Sequence, residues 1–167
     1  MITKCTKHNS FITALDWSTD SQHIMSVCGA YELLFFDANT GAQRTGIYWA
    51  FQSFSHNLLI DGATALRDEK WASFTVKLGW PVQGVFPPGT DGSHVNGVDR
   101  SKASDVIASA DDYGLVNLYR NPCLEGAKAN SYRGHSEHVV RVRFDNSDTR
   151  LYSIGGYDRT IMQWRIV

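Results

Sequence analysis

The sequence predicts an all-β protein that forms part of a β-propeller, with about three four-stranded antiparallel blades. Three observations predict it. A segment of about 30 residues recurs at approximately 8–37, 91–120 and 135–165, and the second and third copies begin 44 residues apart, as propeller blades do. Each copy has a serine fourteen residues after its first apolar anchor and closes on an aromatic residue. The anchors are Ile12, Val95 and Val139, the serines are Ser26, Ser109 and Ser153, and the closing aromatics are Phe36, Tyr119 and Trp164.

The first copy, at about 8–37, predicts three strands joined by a polar turn and a tight turn. Its polar segment 18–22 is rich in side chains that bond their own backbone, which favours a turn over a sheet ladder. Gly29 can supply a positive φ at little cost, which predicts the second turn there. The closing strand, 33–36, is bulky and apolar, as strands prefer.

The stretch 41–90 separates the first copy from the second and is either a degenerate blade or an insertion that elaborates one outer strand. We favour the insertion, because no serine and aromatic pair occurs there in the repeat's register. Residues 70–78 predict one strand with alternating faces. Residues 47–54 are apolar and aromatic, which favours a buried strand over the alternative of an exposed docking patch.

The second and third copies, at about 91–120 and 135–165, repeat the pattern of strand, polar turn, strand, tight turn and strand. Their polar turns are 101–105 and 145–149, and glycines at 114 and 155–156 mark the tight turns. The sequence ends at the close of the third copy's third strand. Because propellers close rings of four to eight blades, we expect either the remainder of a larger propeller or other copies of the chain to cover the open edges.

Composition and charge exclude several classes of function. The net charge is -1 without a basic stripe, which argues against nucleic acid as a partner. No stretch has the roughly 20 apolar residues of a membrane span, and no signal peptide follows Met1. The three cysteines, Cys5, Cys28 and Cys123, form no paired framework and predict reduced thiols in a cytoplasmic protein.

The third copy resembles a WD repeat, with Trp164–Arg165 in place of the usual Trp-Asp pair. Nearly the whole chain resembles the carboxy-terminal part of the echinoderm microtubule-associated protein-like family. The stretches that carry the resemblance are 8–18, 67–79, 111–119 with Pro122–Cys123, and 134–164. The stretch 46–63 is longer than the family usually has. The coiled coil and basic region that the resemblance associates with trimerisation and microtubule attachment, and the family's other propeller, are not in this sequence.

The resemblance implies a structural hydrogen-bonded tetrad at His135, Ser153, Asp158 and Trp164. A buried carboxylate is costly unless it is bonded, and imidazole, hydroxyl and indole groups supply such bonds. The other copies are eroded. The first keeps His8, Ser26 and Phe36 but has Ala30 at the aspartate position; the second keeps Ser109 and Tyr119, with Asp91 at the histidine position and Asp112 one residue off.

The same residues offer weaker alternatives. No Gly-x-Ser-x-Gly elbow presents a serine for hydrolysis. His135 and His138 have a spacing that could bind metal, but a tetrad histidine beside a surface histidine explains them better. Asp111–Asp112 at a strand turn is more typical of a turn-capping pair than of a catalytic one, and the loop 87–92 lacks a phosphate-binding ending. The sequence therefore predicts no enzyme, no cofactor and no metal site.

The predicted function is a non-catalytic scaffold for protein interactions, part of a microtubule-associated protein that binds tubulin or microtubules in the cytoplasm and cytoskeleton. The alternative is a general WD-repeat adaptor for a non-cytoskeletal protein or peptide. Tryptophan and arginine are enriched at contact surfaces. The candidate partner-binding residues are Arg67, Trp71, Trp80 and Phe86.

Overall fold

The computed structural model of the chain describes residues 1–44, 60–61, 66–87, 89–103 and 105–166. Within these ranges eleven β-strands form three sheets, which confirms the predicted all-β fold. The chain divides into two compact units, Met1–Gly79 with the first sheet and Trp80–Val167 with the other two. Among the described residues, no helix has the length and apolar composition needed to cross a membrane.

The first sheet has the order β1-β2-β3-β4. Its strands are β1 (Ile12–Trp17), β2 (His23–Cys28), β3 (Leu33–Asp37) and β4 (Ile60–Asp61). The first three are antiparallel, whereas the two-residue β4 pairs parallel with β3 and so differs from the antiparallel fourth strand that was predicted. The apolar segment 47–54 lies outside the described residues, and whether 41–90 holds an insertion or a degenerate blade stays a prediction.

The second and third sheets lie in the second unit. The strands of the second sheet are β5 (Val95–Arg100), β6 (Val106–Asp111), β7 (Leu115–Arg120) and β8 (Asn130–Arg133), all antiparallel to their neighbours. The strands of the third sheet are β9 (Val139–Phe144), β10 (Arg150–Gly155) and β11 (Ile161–Arg165). A 3-10 helix, Trp80–Val85, precedes β5.

The three repeat serines occupy one position in three sheets. Ser26, Ser109 and Ser153 lie on the second strand of their sheets and are at most 6% exposed. Each faces the residue three places after the opening anchor, as in the pairs Leu15–Ser26, Val98–Ser109 and Val142–Ser153. Each anchor in turn faces the last residue of the second strand, in the pairs Ile12–Cys28, Val95–Asp111 and Val139–Gly155.

The second and third sheets pack through a small apolar core and two carboxylates. The buried apolar side chains are Ala108, Ala110, Val116, Val139, Val142 and Leu151. Asp99 of β5 accepts hydrogen bonds from the backbone N–H of Phe144 at 2.8 Å and from the Arg143 guanidinium at 3.0 Å. Asp148, in the turn after β9, accepts the backbone N–H groups of Lys102 and Ala103 at 2.8 Å each. One carboxylate from each sheet therefore holds the backbone of the other.

The strand predicted across 70–78 is not formed; within that segment only Trp71 makes a β-bridge, with Ser18. The reason lies in Asp16 of β1, whose carboxylate accepts the backbone N–H groups of Thr75 at 2.6 Å and Val76 at 3.0 Å. A side chain thus takes the place that a neighbouring strand would have, while the apolar side chains of the segment remain buried.

Candidate functional site

The third sheet brings His135, Ser153, Asp158 and Trp164 into one hydrogen-bonded network. His135 Nδ1 lies 2.7 Å from Asp158 Oδ2, and His135 Nε2 lies 2.7 Å from Ser153 Oγ. The indole N–H of Trp164 donates to Ser153 Oγ at 2.8 Å. Thr160 adds a backbone N–H bond to the Asp158 carboxylate at 3.1 Å and places its hydroxyl 3.0 Å from His135 Nδ1.

One arrangement of protons satisfies every member of this network when His135 is neutral. The ionised carboxylate of Asp158 only accepts, so His135 Nδ1–H donates to it. Nε2 then accepts the hydroxyl hydrogen of Ser153, whose oxygen is left to accept the indole N–H of Trp164. Burial raises the pKa of the Asp158 carboxyl, but the hydrogen bonds from Thr160 and His135 outweigh it and hold that pKa below its ordinary value.

The network is closed to a substrate. His135 is 1% exposed and Ser153 is 0% exposed, and the serine oxygen already accepts the Trp164 indole. Nucleophilic catalysis needs a serine that can reach a bound carbonyl group. Both ring nitrogens of His135 are engaged as well, so it cannot pair with His138 as a metal ligand while the network is intact. The geometry therefore favours an architectural role for these four residues.

The first sheet carries a modified form of the network. His8 Nε2 lies 2.7 Å from Ser26 Oγ, as in the third sheet. Phe36 stands where the tryptophan would be, and its side chain has no N–H to donate to the serine. The acid is Glu32, two residues beyond the position at which the aspartate was expected, and its Oε2 lies 3.7 Å from His8 Nδ1.

Other groups also hold Glu32, which is why it stays away from the imidazole. The backbone and side-chain N–H groups of Asn9 donate to its carboxylate, and the Cys28 thiol lies 3.2 Å from Oε2. The Asn9 bonds lower the pKa of Glu32. Burial lowers the pKa of His8 more than Glu32 raises it, so the neutral imidazole is favoured near neutral pH.

The second sheet replaces the imidazole with an aspartate and an asparagine. Asp111 accepts the backbone N–H groups of Tyr113 and Leu115 at 2.9 Å each, and the Asn117 side chain donates to it at 3.0 Å. The acid in the hydrogen-bonded network of this copy is therefore Asp111, not Asp112 or Asp91. Asp112 accepts from Asn96, and Asp91 caps the turn at Ser93. The repeat spacing did not identify Asp111 as the acid of this network, because Asp111–Asp112 was interpreted as a turn-capping pair. In the structure Asp111 is the last residue of β6.

A cavity of about 470 Å³ opens beside this aspartate network. Its walls combine aromatic, polar and small side chains of the second unit, among them His94, Ser109, Asp111, Tyr113 and Tyr119. Burial raises the pKa of Tyr119 more than its hydrogen bond to Ser109 lowers it, so the phenol stays protonated. The volume falls in the range of small-ligand and peptide side-chain pockets.

The four partner-binding candidates differ in burial and divide between the two units. Trp71 is 7% exposed and its ring centroid lies 5.8 Å from that of Phe35, so its burial removes it from a contact surface. Phe86 is half-buried, while Arg67 and Trp80 are exposed, Trp80 by 39%. Arg67 and Trp71 belong to the first unit, and Trp80 and Phe86 to the second. Aromatic type alone could not separate the buried ring from the exposed one.

Comparison with known proteins assigns these sheets to a family. The model of the second β-propeller of the echinoderm microtubule-associated protein matches residues 1–166. The chain belongs to the echinoderm microtubule-associated protein family. This confirms the resemblance found in the sequence and explains why the three copies share one register.

Two relatives within or near this family illustrate the match. The 77 kDa echinoderm microtubule-associated protein of Strongylocentrotus purpuratus is 43% identical over 98% of this chain and 22% of its own length. The ciliary WD repeat-containing protein ctxp80 of Euplotoides octocarinatus is 49% identical over 95% of this chain and 20% of its own length. The chain therefore spans about a fifth of the length of these relatives.

A solved structure supports the propeller fold of this family member independently of sequence. The Cps50 (Swd1) β-propeller domain of Myceliophteria thermophila superposes with a TM-score of 0.63 at 16% identity, over 98% of this chain and 54% of that domain. At this identity the likeness shows the fold alone.

Proposed function

We propose that the chain is a non-catalytic interaction module of a microtubule-associated protein and contributes contacts to tubulin or microtubules. The observation that carries the proposal is the family match over residues 1–166, together with relatives whose names state microtubule association. This function assigns the parent protein to the cytoskeleton of the cytoplasm.

The closed hydrogen-bonded networks support the non-catalytic part of the proposal. In the third sheet, His135, Ser153 and Asp158 hydrogen-bond to one another, and His135 and Ser153 are buried away from solvent. Because these network residues are buried, contacts with a partner must come from exposed side chains. Arg67 and Trp80 remain the candidates, because both side chains are exposed and both are of types that contribute strongly to interfaces.

Co-sedimentation of the full chain with polymerised microtubules tests the proposal. We expect the chain to pellet with microtubules, and we expect Trp80→Ala or Arg67→Ala to weaken binding by about tenfold or more, as loss of an interface anchor does. Tyr157→Ala and Arg120→Ala are matched controls, since each removes an exposed aromatic or arginine side chain elsewhere. A chain that stays in the supernatant at every microtubule concentration would refute the proposal for this segment.

A second candidate, an adaptor for a non-cytoskeletal peptide, is favoured by the cavity of about 470 Å³ in the second unit. Tyr113 lines this cavity and is 62% exposed, so it is the accessible aromatic side chain of its wall. Screening a peptide library against the chain and against Tyr113→Ala tests this function. Peptides that bind both proteins equally, or none that bind at all, would exclude it.

A further inference from the structure

The first sheet places three metal-binding side chains together: His8, Cys28 and Glu32. One donor atom from each lies within 4.8 Å of the others. Cys28 is 1% exposed, and the side chains of His8 and Glu32 are 7% and 14% exposed. Among the described residues, His8 Nδ1 has no hydrogen-bond partner although it is buried. Leaving a buried polar atom without a hydrogen-bond partner costs free energy, and a bound ligand would remove that cost at His8 Nδ1.

The difference between the first and third sheets explains how this nitrogen becomes available. In the third sheet the Asp158 carboxylate lies 2.7 Å from His135 Nδ1 and only accepts, so the proton lies on Nδ1 and Ser153 donates to Nε2. In the first sheet Glu32 Oε2 lies 3.7 Å from His8 Nδ1, too far for a hydrogen bond, so Ser26 Oγ is able to accept from His8 Nε2–H. The lone pair of His8 then lies on Nδ1, on the side of Cys28 and Glu32.

The backbone position of Cys28 also separates the two sheets. Cys28 faces the opening anchor of its sheet, as Gly155 does in the third sheet. A Cβ atom at Gly155 would overlap the Asp158 carboxylate and lie 2.5 Å from His135 Nδ1. The third sheet therefore needs glycine there for its aspartate to reach the imidazole. The first sheet puts a thiol at this place and moves the carboxylate to a longer side chain, two residues on.

We propose that His8 Nδ1, Cys28 Sγ and Glu32 bind one zinc-type divalent cation. Ligand atoms around tetrahedral Zn²⁺ lie about 3.3–3.7 Å apart, given Zn–N, Zn–S and Zn–O bonds of roughly 2.0–2.3 Å. The observed separations from Glu32 Oε2 are 3.7 Å to His8 Nδ1 and 3.2 Å to Cys28 Sγ. A thiolate and a carboxylate balance the two positive charges of the ion, and water takes the fourth position. Ser26 hydrogen-bonds to His8 and Asn9 hydrogen-bonds to Glu32, so these two residues orient the ligands.

Titration of the reduced full chain with Co²⁺ tests the site, because cobalt bound to a thiolate absorbs in the near ultraviolet and zinc displaces it. We expect one Co²⁺ per chain with this absorption, and we expect Cys28→Ala to abolish it. Cys123→Ala and Cys5→Ser are matched controls: they remove a buried thiol and an exposed thiol outside the site, and should leave the absorption unchanged.

Two further variants keep the test decisive if Cys28→Ala fails to fold. Glu32→Gln preserves size at a partly exposed side chain and should weaken Co²⁺ binding by at least about tenfold, and Ser26→Ala should weaken it by roughly ten- to a hundredfold by releasing the imidazole. Circular dichroism checks that each variant is folded. Unchanged Co²⁺ affinity in both variants, thiolate absorption that survives Cys28→Ala, or no absorption at millimolar Co²⁺ would each overturn the proposal.

Discussion

Replacing Ser153 with alanine tests the energetics of the third-sheet network most directly. The serine oxygen joins two groups, the indole N–H of Trp164 and the Nε2 atom of His135. Alanine leaves both without a partner and adds no bulk. The corresponding change in the first sheet, Ser26→Ala, affects only His8, because Phe36 offers no N–H. The two substitutions are chemically identical and differ in the number of groups that they leave unpaired.

The expected magnitudes follow from burial. A buried polar group left unpaired costs about 1–3 kcal/mol. The His135 side chain is fully buried and should cost about 2 kcal/mol, whereas the half-buried Trp164 regains water in part and should cost about 1 kcal/mol. We therefore expect Ser153→Ala to lower the free energy of unfolding by roughly 3 kcal/mol, and Ser26→Ala by roughly half of that.

Urea unfolding followed by circular dichroism and tryptophan fluorescence measures both losses, and a double-mutant cycle isolates the indole contribution. Trp164→Phe should be less costly in the Ser153→Ala background than in the parent chain, with a coupling of about 1 kcal/mol. Equal losses for Ser153→Ala and Ser26→Ala, or a coupling near zero, would refute the reasoning that these hydrogen bonds stabilise the sheet cooperatively.

Three other outcomes follow from single side chains. Burial raises the pKa of Asp99 more than Phe144 and Arg143 lower it, so the folded state binds a proton more readily than the unfolded state. The stability of the parent chain relative to Asp99→Asn should therefore increase as pH falls through the raised pKa toward the ordinary carboxyl range. Urea unfolding at several pH values measures this, and parallel pH profiles for the two proteins would contradict it. Cys123 should resist alkylation in the folded chain while the exposed Cys5 reacts, because burial raises the pKa of Cys123 to about 11. Mass spectrometry after brief iodoacetamide treatment measures the labelling of each cysteine, and equal labelling of the two would contradict this prediction. Gly155→Ala should lower the melting temperature markedly, since the added carbon overlaps a carboxylate, and an unchanged melting temperature would show that the site can relax.

The repeat register could be predicted from sequence because it rests on local chemistry. Serines at equal spacing between an aliphatic and an aromatic strand marked three strand pairs, and Ser26, Ser109 and Ser153 have equivalent partners in the structure. The hydrogen-bonded contacts of His135 with Ser153 and Asp158 likewise lie where the resemblance implied.

The remaining features depend on contacts between distant parts of the chain. The strand expected at 70–78 was wrong because Asp16, far away in sequence, binds the backbone of that segment. Trp71 was taken for a surface residue, although its ring packs against Phe35. The cluster of His8, Cys28 and Glu32 was missed because the carboxylate comes two residues later than the repeat pattern requires. The pairing of Ile12 with Cys28 would have signalled it, but pairing is known only from the fold.

The carboxylates of Asp99 and Asp148 have a consequence for how such repeats diverge. The groups that donate to these carboxylates from the neighbouring sheet are mainly backbone N–H groups, which every residue except proline supplies. These hydrogen bonds do not depend on which side chains the donating residues carry. Side chains outside the apolar core between the two sheets are therefore free to differ without loss of these hydrogen bonds, provided that the two acidic residues are retained.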